Sequence, residues 1–465
     1  MAQSQVGPAF QRSTVVEDYI LPDHSGLKPP IFYEPWDSMN GTRRAQFGGD
    51  FLTPRVFLPL FEPRPMESQF DMKHTDRPFG FTPLAPIFPD PLEFAMRPVR
   101  GLEHVLYEQC STMTNMYYTL VVQGVSRTLP DQGSIAGIGR LDVNLLTVLA
   151  KTPGLGTSAI QMLFRQHNVI GQPANWTPGG ASGTYFFMNS LQNGDNSTLN
   201  ILSYQQGFID DKLIFNVGKM HPNQYFMLNF YANDESRQFL NGSFDGNSVF
   251  QPAQGTYAPG FVTQLVPFDN IYVNAGIFDI ADYPGNSFQN INDGLYWAGI
   301  EVGWTPNFLD TFSRYNVTVG TTNAGNQSYA GYGNVTGIKQ TNSMIGFLGQ
   351  QQIGDWLGVF AEYGLGQSTG AVAQQEFSAG VSIVKPFGRP DDDFGIAYAW
   401  TKPNNNYGNE PAGSDPASAS MFETFYRLQI TDSMQLSPDL QVSFNPASGD
   451  GSPVVSLALR LKTQF

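Results

Sequence analysis

The chain has 465 residues, a formal net charge of −15 and only 14% charged side chains. That acidic balance excludes nucleic acid as a partner, since such binding needs Lys and Arg clustered on one face, and the single cysteine, Cys110, excludes an internal disulfide or a multi-cysteine metal site. No run approaches the roughly 18 apolar residues of a membrane-spanning helix, so the length fits either two or three soluble domains or one large β-barrel.

No basic stretch followed by an apolar segment opens the chain as a secretory signal would. The expectation is a mature form whose Met1 lies at or near a cleavage point. Residues 1–105 are set apart by prolines such as Pro29, Pro30, Pro54, Pro59, Pro63 and Pro65, which fix φ and remove backbone donors, so neither continuous helix nor sheet can form there. The same stretch carries Trp36, Phe51, Phe57, Phe61, Phe70 and Phe79, too many large apolar groups for a solvated linker. It is expected to be an irregular segment packed on the barrel wall, its mouth or a neighbouring subunit. A short helix near residues 100–110 leads out of it, with Cys110 expected to be a small buried side chain.

Residues 106–465 read as an all-β unit: a transmembrane antiparallel barrel of about sixteen strands, punctuated by Gly, Asn, Asp and Pro turns. The predicted strands are 116–127, 138–149, 157–169, 198–206 and 211–219, then 262–265 with the least secure limits. They continue with 270–279, 295–304, 313–321, 342–353, 356–367, 375–384, 393–401, 421–431, 434–445 and 452–465. Apolar and polar side chains alternate openly in the last three. In the final strand Val455, Leu457, Leu459 and Leu461 share one face, while Ser456, Arg460, Lys462 and Gln464 share the other. Such a strand needs oil on one side and water on the other.

The tight connections 431–433 and 353–355 suit periplasmic hairpins, whereas 322–339 and 402–420 suit long external loops. An even strand count leaves both barrel ends on the periplasmic side. Pro222–Leu240 breaks the strand rhythm, with Phe226, Leu228, Phe230 and Tyr231 followed by Asp234, Glu235 and Arg237. A short helix or a packed loop is expected, either folded into the pore or lying outside it. Gly179–Gly183 is expected to be a plain loop.

Several stretches, in order, resemble the carbohydrate-selective porins of the OprB family. They are residues 208–219 (FIDDKLIFNVGK), 239–244 (FLNGSF), 275–279 (AGIFD), 388–397 (GRPDDDFGIA), 423–427 (ETFYR) and 436–441 (LSPDLQ), with Asn445-Pro446 beyond. The resemblance spans about Leu120 to Phe465. It implies a sixteen-stranded barrel in the outer membrane of a Gram-negative-type bacterium, surrounded by lipid, passing small sugars and, like porins of this size, forming a homotrimer. The proline-rich first hundred residues are longer than the family's usual N-terminal part.

A passive pore needs no catalyst, cofactor or metal; it needs a constriction lined by polar groups and charges. Strand parity places Arg140, Asp142, Arg165, Lys219, Glu301, Glu362, Glu423, Arg427, Arg460 and Lys462 in the lumen, because a cation facing lipid near the midplane costs about 2–4 kcal/mol. The competing reading makes most of them ion-paired wall residues that stiffen the barrel. Trp304, Trp356 and Trp400 are read as interface girdle residues rather than sugar platforms, and Asp391-Asp392-Asp393 as the solvated start of a strand rather than a cation site. The five histidines are scattered, and no HExxH, GxSxG, Walker or dinucleotide fingerprint stands in its required context. Besides a porin, two other readings remain: a structural barrel whose N-terminal segment ties protomers together, and a barrel hydrolase built on His167 and a serine.

Overall fold

The computed structural model describes Leu92, scattered positions between Pro98 and Cys110, and most of 111–465. It leaves out 153, 192–193, 251–256, 269, 281–293, 307–310, 325–338, 355, 368–372, 390–391, 404–416, 432 and 447–450. The expectations for residues 1–91 lie outside the described residues. The described positions from Pro98 to Cys110 are helical, as the sequence predicts, but Cys110 is exposed rather than buried.

Sixteen antiparallel strands follow. They are β1 (Thr112–Val125), β2 (Ile135–Thr152), β3 (Gly156–Ile170), β4 (Asn196–Phe208), β5 (Leu213–Met220), β6 (Ala258–Phe268), β7 (Ile271–Asp279) and β8 (Tyr296–Trp304), then β9 (Ser313–Ala324), β10 (Lys339–Ile353), β11 (Leu357–Gly366), β12 (Ala373–Val384), β13 (Asp393–Pro403), β14 (Ala419–Gln429), β15 (Met434–Phe444) and β16 (Val454–Gln464). Each pairs with its neighbours in sequence, and β1 pairs with β16 from Tyr117↔Gln464 to Val125↔Ser456, which closes the barrel. Every predicted strand is present. The sixth runs well beyond 262–265 because Pro259 and Pro267 near its ends, which read as strand breakers, are tolerated there.

Closure removes free edges, so every ladder group finds a neighbour without water. Outward side chains such as Val217, Ile300, Val319, Leu457 and Leu459 are exposed and apolar; they form the lipid face. Short turns at 209–212, 354–356 and 430–433 gather at one edge, with the start of β1 and the end of β16. The strand ends that lead into the longer connections lie at the other edge; most of the expected external loops 322–339 and 402–420 falls outside the described residues.

Two long connections fold into the barrel. Between β5 and β6, residues 221–250 pass through a 3-10 turn (Pro222–Gln224) and a short helix, α2 (Gly242–Asp245), and most are buried. Between β3 and β4, α1 (Pro178–Ser182) forms where a plain loop was expected. Thr177 Oγ1 accepts the Gly180 N–H at 2.7 Å as N-cap, and Gly183 closes the helix at φ 69°. The apolar core therefore lies inside the barrel. Tyr225, Phe226, Met227, Val249 and Phe250 of the loop pack on Val262, Phe278, Trp297 and Met344 of the wall. Phe230, Tyr231, Phe239 and Phe244 pack on Phe360, Met421 and Phe425.

The wall makes room for these rings by shedding side chains. A Cβ at inward-facing Gly346 would stand 2.6 Å from the Phe250 ring, one at Gly358 2.2 Å from Tyr231, and one at Gly395 2.9 Å from Phe239. Overpacking of this kind costs typically 1–3 kcal/mol. Gly358→Val should accordingly lower the denaturant midpoint of the folded barrel by about 1–3 kcal/mol equivalent, with strand content unchanged by circular dichroism. An unchanged midpoint would mean that Tyr231 is not seated against β11.

Candidate constriction site

Chain inside a barrel has no ladder to join, so its backbone groups need side-chain partners from the wall. Three inward carboxylates supply acceptors. Glu301 on β8 accepts the Met227 N–H at 2.7 Å and the Thr318 hydroxyl at 2.6 Å on one oxygen; the other takes the Tyr272 hydroxyl at 2.7 Å and Arg314 Nη2 at 2.8 Å. Glu376 on β12 accepts Ser248 N–H at 2.9 Å and the Thr401 hydroxyl at 2.7 Å. Glu423 on β14 accepts Leu240 N–H at 2.5 Å and Asn241 N–H at 3.1 Å. Gln350 on β10 serves both kinds of group, accepting Phe230 N–H at 2.7 Å and donating to Leu228 O at 2.9 Å.

The loop's carbonyls and its acidic tip meet cations on the other side. Arg460 on β16 donates to Glu235 O at 2.8 Å, Gln238 O at 2.7 Å and Arg237 O at 2.8 Å, and Lys462 donates to Ser236 Oγ at 2.7 Å. The Glu235 carboxylate pairs with Arg140 of β2 and lies 3.6 Å from Arg165 of β3. Both arginines grip Asp142, at 2.6 and 2.5 Å. Burial alone would raise the Glu235 carboxyl, but Arg140 and Arg165 more than offset it and hold it down at about 2.

Nine of the ten residues assigned to the lumen from parity face inward: Arg140, Asp142, Arg165, Glu301, Glu362, Glu423, Arg427, Arg460 and Lys462 are all buried there. Most lie behind the loop and hold it. Lys219 is the exception. It pairs across the ladder with Leu202, which is exposed on the outward face, and with Pro259. Alternation along β5 runs unbroken from buried Asn216 and exposed Val217 to buried Met220, so parity itself puts Lys219 outward and the lumen assignment misread the strand's phase; near the strand's end a lysine can reach the polar interface.

Arg427 pairs with Asp393, and Arg237 of the loop lies 3.7 Å from the same carboxylate. Asp392 pairs with Arg389 and takes the Tyr426 hydroxyl at 2.8 Å. Asp392 and Asp393 are thus buried and ion-paired rather than a solvated strand start, because arginines three residues before and across the ladder neutralise them. Trp304 and Trp356 are exposed, and Trp400 shares the outward face of β13 with Ile396 and Tyr398, as girdle residues do. His167 is buried and hydrogen-bonds Asn196 at 3.0 Å.

The loop also presents residues that strand parity does not select. Asn233, Asp234, Arg237 and Gln238 keep partial exposure inside the barrel, and Asp234 shapes the tip by accepting Ser236 N–H at 2.9 Å. The available signal is the Asp-Glu-Ser-Arg-Gln run straight after an aromatic segment: polar chemistry in a stretch with no strand period.

A closed sixteen-stranded barrel with an apolar outer belt, long loops at one edge and a connection folded into its lumen is an outer-membrane porin. Residues 133–465 match the family described as "Carbohydrate-selective porin, OprB family", and the chain belongs to it. Among its relatives, a protein named Porin AaxA from Chlamydia caviae is 24% identical over 404 residues, 82% of each chain. Porin AaxA from Chlamydia felis is 23% identical over 405 residues, 82% of this chain and 84% of that one. The high-pH structure of Pseudomonas putida OprB superposes with a TM-score of 0.64 at 16% identity, covering 79% of this chain and 97% of that one. The protein resides in the outer membrane of a Gram-negative-type bacterium.

Removing one partner of a buried ion pair costs about 3–5 kcal/mol, against roughly 1 kcal/mol per neutral hydrogen bond. Glu301→Ala strands Arg314 and should destabilise the barrel by about 3–5 kcal/mol, while Gln350→Ala should cost about 1–3. Denaturant midpoints in one detergent rank the two, and the reverse order would sink the anchoring role of Glu301. Glu423→Ala should expose the loop around Leu240 to limited proteolysis that the parent barrel resists.

Proposed function

We propose that this porin passes small sugars, or similar neutral polar solutes, along the side of the inward loop where Asn233, Asp234, Arg237 and Gln238 keep their exposure. The supporting observation is the make-up of that face: two amides, one carboxylate and one guanidinium, donors and acceptors of both signs within six residues. Such a set replaces the hydration of a hydroxyl-rich solute without selecting strongly for either ion sign. Behind it Arg140, Asp142, Arg165, Arg427, Arg460 and Lys462 hold the tip in place and set the local field; Glu301, Glu362 and Glu423 belong to the wall on which the loop rests. The pore acts without turnover, so the protein is a channel and not an enzyme. Three copies assemble in the membrane, and residues 1–105 form a unit distinct from the barrel.

Single-channel recording in a planar bilayer with added glucose or a short oligosaccharide tests this. Ohmic steps that shrink as sugar is added are expected. Asp234→Asn and Arg237→Gln should each weaken that block about tenfold, the ~1.4 kcal/mol of one hydrogen bond, and should move ion selectivity toward anions and cations respectively. Steps with no sugar effect in the parent protein would leave a general porin.

A further inference from the structure

The short-turn edge of the barrel is not uniformly polar. Phe387, in the β12–β13 turn, is 90% exposed, the most exposed large apolar side chain among the described residues. It also holds φ 56°, two residues after Lys385 at φ 58°. A left-handed conformation is unfavourable for a residue with a side chain, and it persists only where the surroundings fix it. Here they do. Lys385 N–H donates to Asp392 O at 3.1 Å, Gly388 N–H to Lys385 O at 3.0 Å, and Arg389 pairs with Asp392. The ring stacks on Tyr426 at 6.2 Å and 28°, and Tyr426 lies 6.5 Å from Phe394. Tyr426 and Phe394 both face outward, so the aromatic row leaves the lower edge of the lipid face and ends on Phe387.

A second turn repeats the device. Ile209, between β4 and β5, is 61% exposed at φ 56°, with Asp210 and Asp211 also at positive φ. Asp211 fixes the turn by accepting Thr157 N–H at 2.7 Å and its hydroxyl at 2.9 Å, and Asp210 accepts Gly154 N–H at 2.6 Å. Above it, Phe208, Phe215 and Phe261 form another outward row, at 5.6 and 5.7 Å. Between the two turns Phe268 is 65% exposed at a register shift. A lysine stands beside each tip: Lys212 after Ile209 and Lys385 before Phe387.

We infer that the turns carrying Ile209 and Phe387 insert into the periplasmic leaflet of the outer membrane, with the apolar side chains at the headgroup–acyl boundary and Lys212 and Lys385 meeting lipid phosphates. Lipid, rather than a periplasmic protein, is the occupant because both tips continue aromatic rows of the lipid-facing wall, and because apolar tips flanked by cations match the chemistry of that boundary. The turns fix how deep the barrel sits.

The test places a spin label at Phe387→Cys in a Cys110→Ser background, with the full chain in phosphatidylethanolamine/phosphatidylglycerol vesicles. Collisions with dioxygen should exceed those with a water-soluble nickel complex, and the reverse should hold for a label at Asp131→Cys in the exposed β1–β2 turn. Equal nickel access at the two positions overturns the inference. Phe387→Trp, which keeps a ring on Tyr426, gives a second reading. Its added fluorescence should be quenched by lipid brominated high on the acyl chain. No quenching beyond that of the six native tryptophans overturns the inference as well.

Discussion

A segment of chain inside a β-barrel can satisfy its backbone only through wall side chains, because every ladder group of the wall is already taken by a neighbouring strand. That constraint organises this molecule. The charged residues of the inner wall divide by the loop group they serve: carboxylates of β8, β12 and β14 face loop N–H groups, and Arg460 of β16 faces loop carbonyls. The glycines that face the loop's rings answer the same demand in terms of volume. Wall and loop form one interior, with an apolar core where a wide pore would have water.

The same arrangement explains the division of labour at the waist. Some groups buried behind the loop are neutralised in ion pairs, as Arg140 and Arg165 are by Asp142 and Arg314 by Glu301, and breaking such a pair costs much; Glu376, Glu423 and Arg460 are held instead by loop backbone groups. Asp234 and Arg237, which keep partial exposure inside the barrel, belong to the loop. At the tip from Asp234 to Gln238 the backbone is fixed by Arg460 and the side chains by the wall and by one another: Glu235 by Arg140, Ser236 by Lys462, and Gln238 by the Asp234 N–H and the Phe230 carbonyl.

How much of this was legible in the sequence follows from periodicity. Alternation with period two in strands such as β14 to β16 gave all sixteen strands and their faces, because lipid tolerates no exception near the midplane. Lys219 was put in the lumen against the phase that Val217 and Met220 set for β5, and β6 was undersized because prolines near both ends mimic breaks. Alternation assigned nine wall charges to the correct side but could not show what they touch, because a loop without a period leaves no trace of its path. The pairing of Glu235 with Arg140, or of Asp392 with Arg389, is a fact of tertiary packing alone. Gly346, Gly358 and Gly395 likewise read as ordinary strand glycines until the rings they receive are in place.

The barrel's seam lies between β1 and β16, the last strand to be made. The loop tip reaches across it, held by Arg140 on β2 and Arg165 on β3 to one side and by Arg460 and Lys462 on β16 to the other. The contact from Arg460 to Glu235 joins residues 225 apart in sequence, so it can form only when the ends of the wall have come together around an already folded loop. The tip acts as a clasp over the join: a barrel that closes with its lumen wrongly filled leaves Arg460 and Lys462 without their loop acceptors and Arg140 and Arg165 with Asp142 but not Glu235, and completion of the wall and correct filling of its interior become a single event.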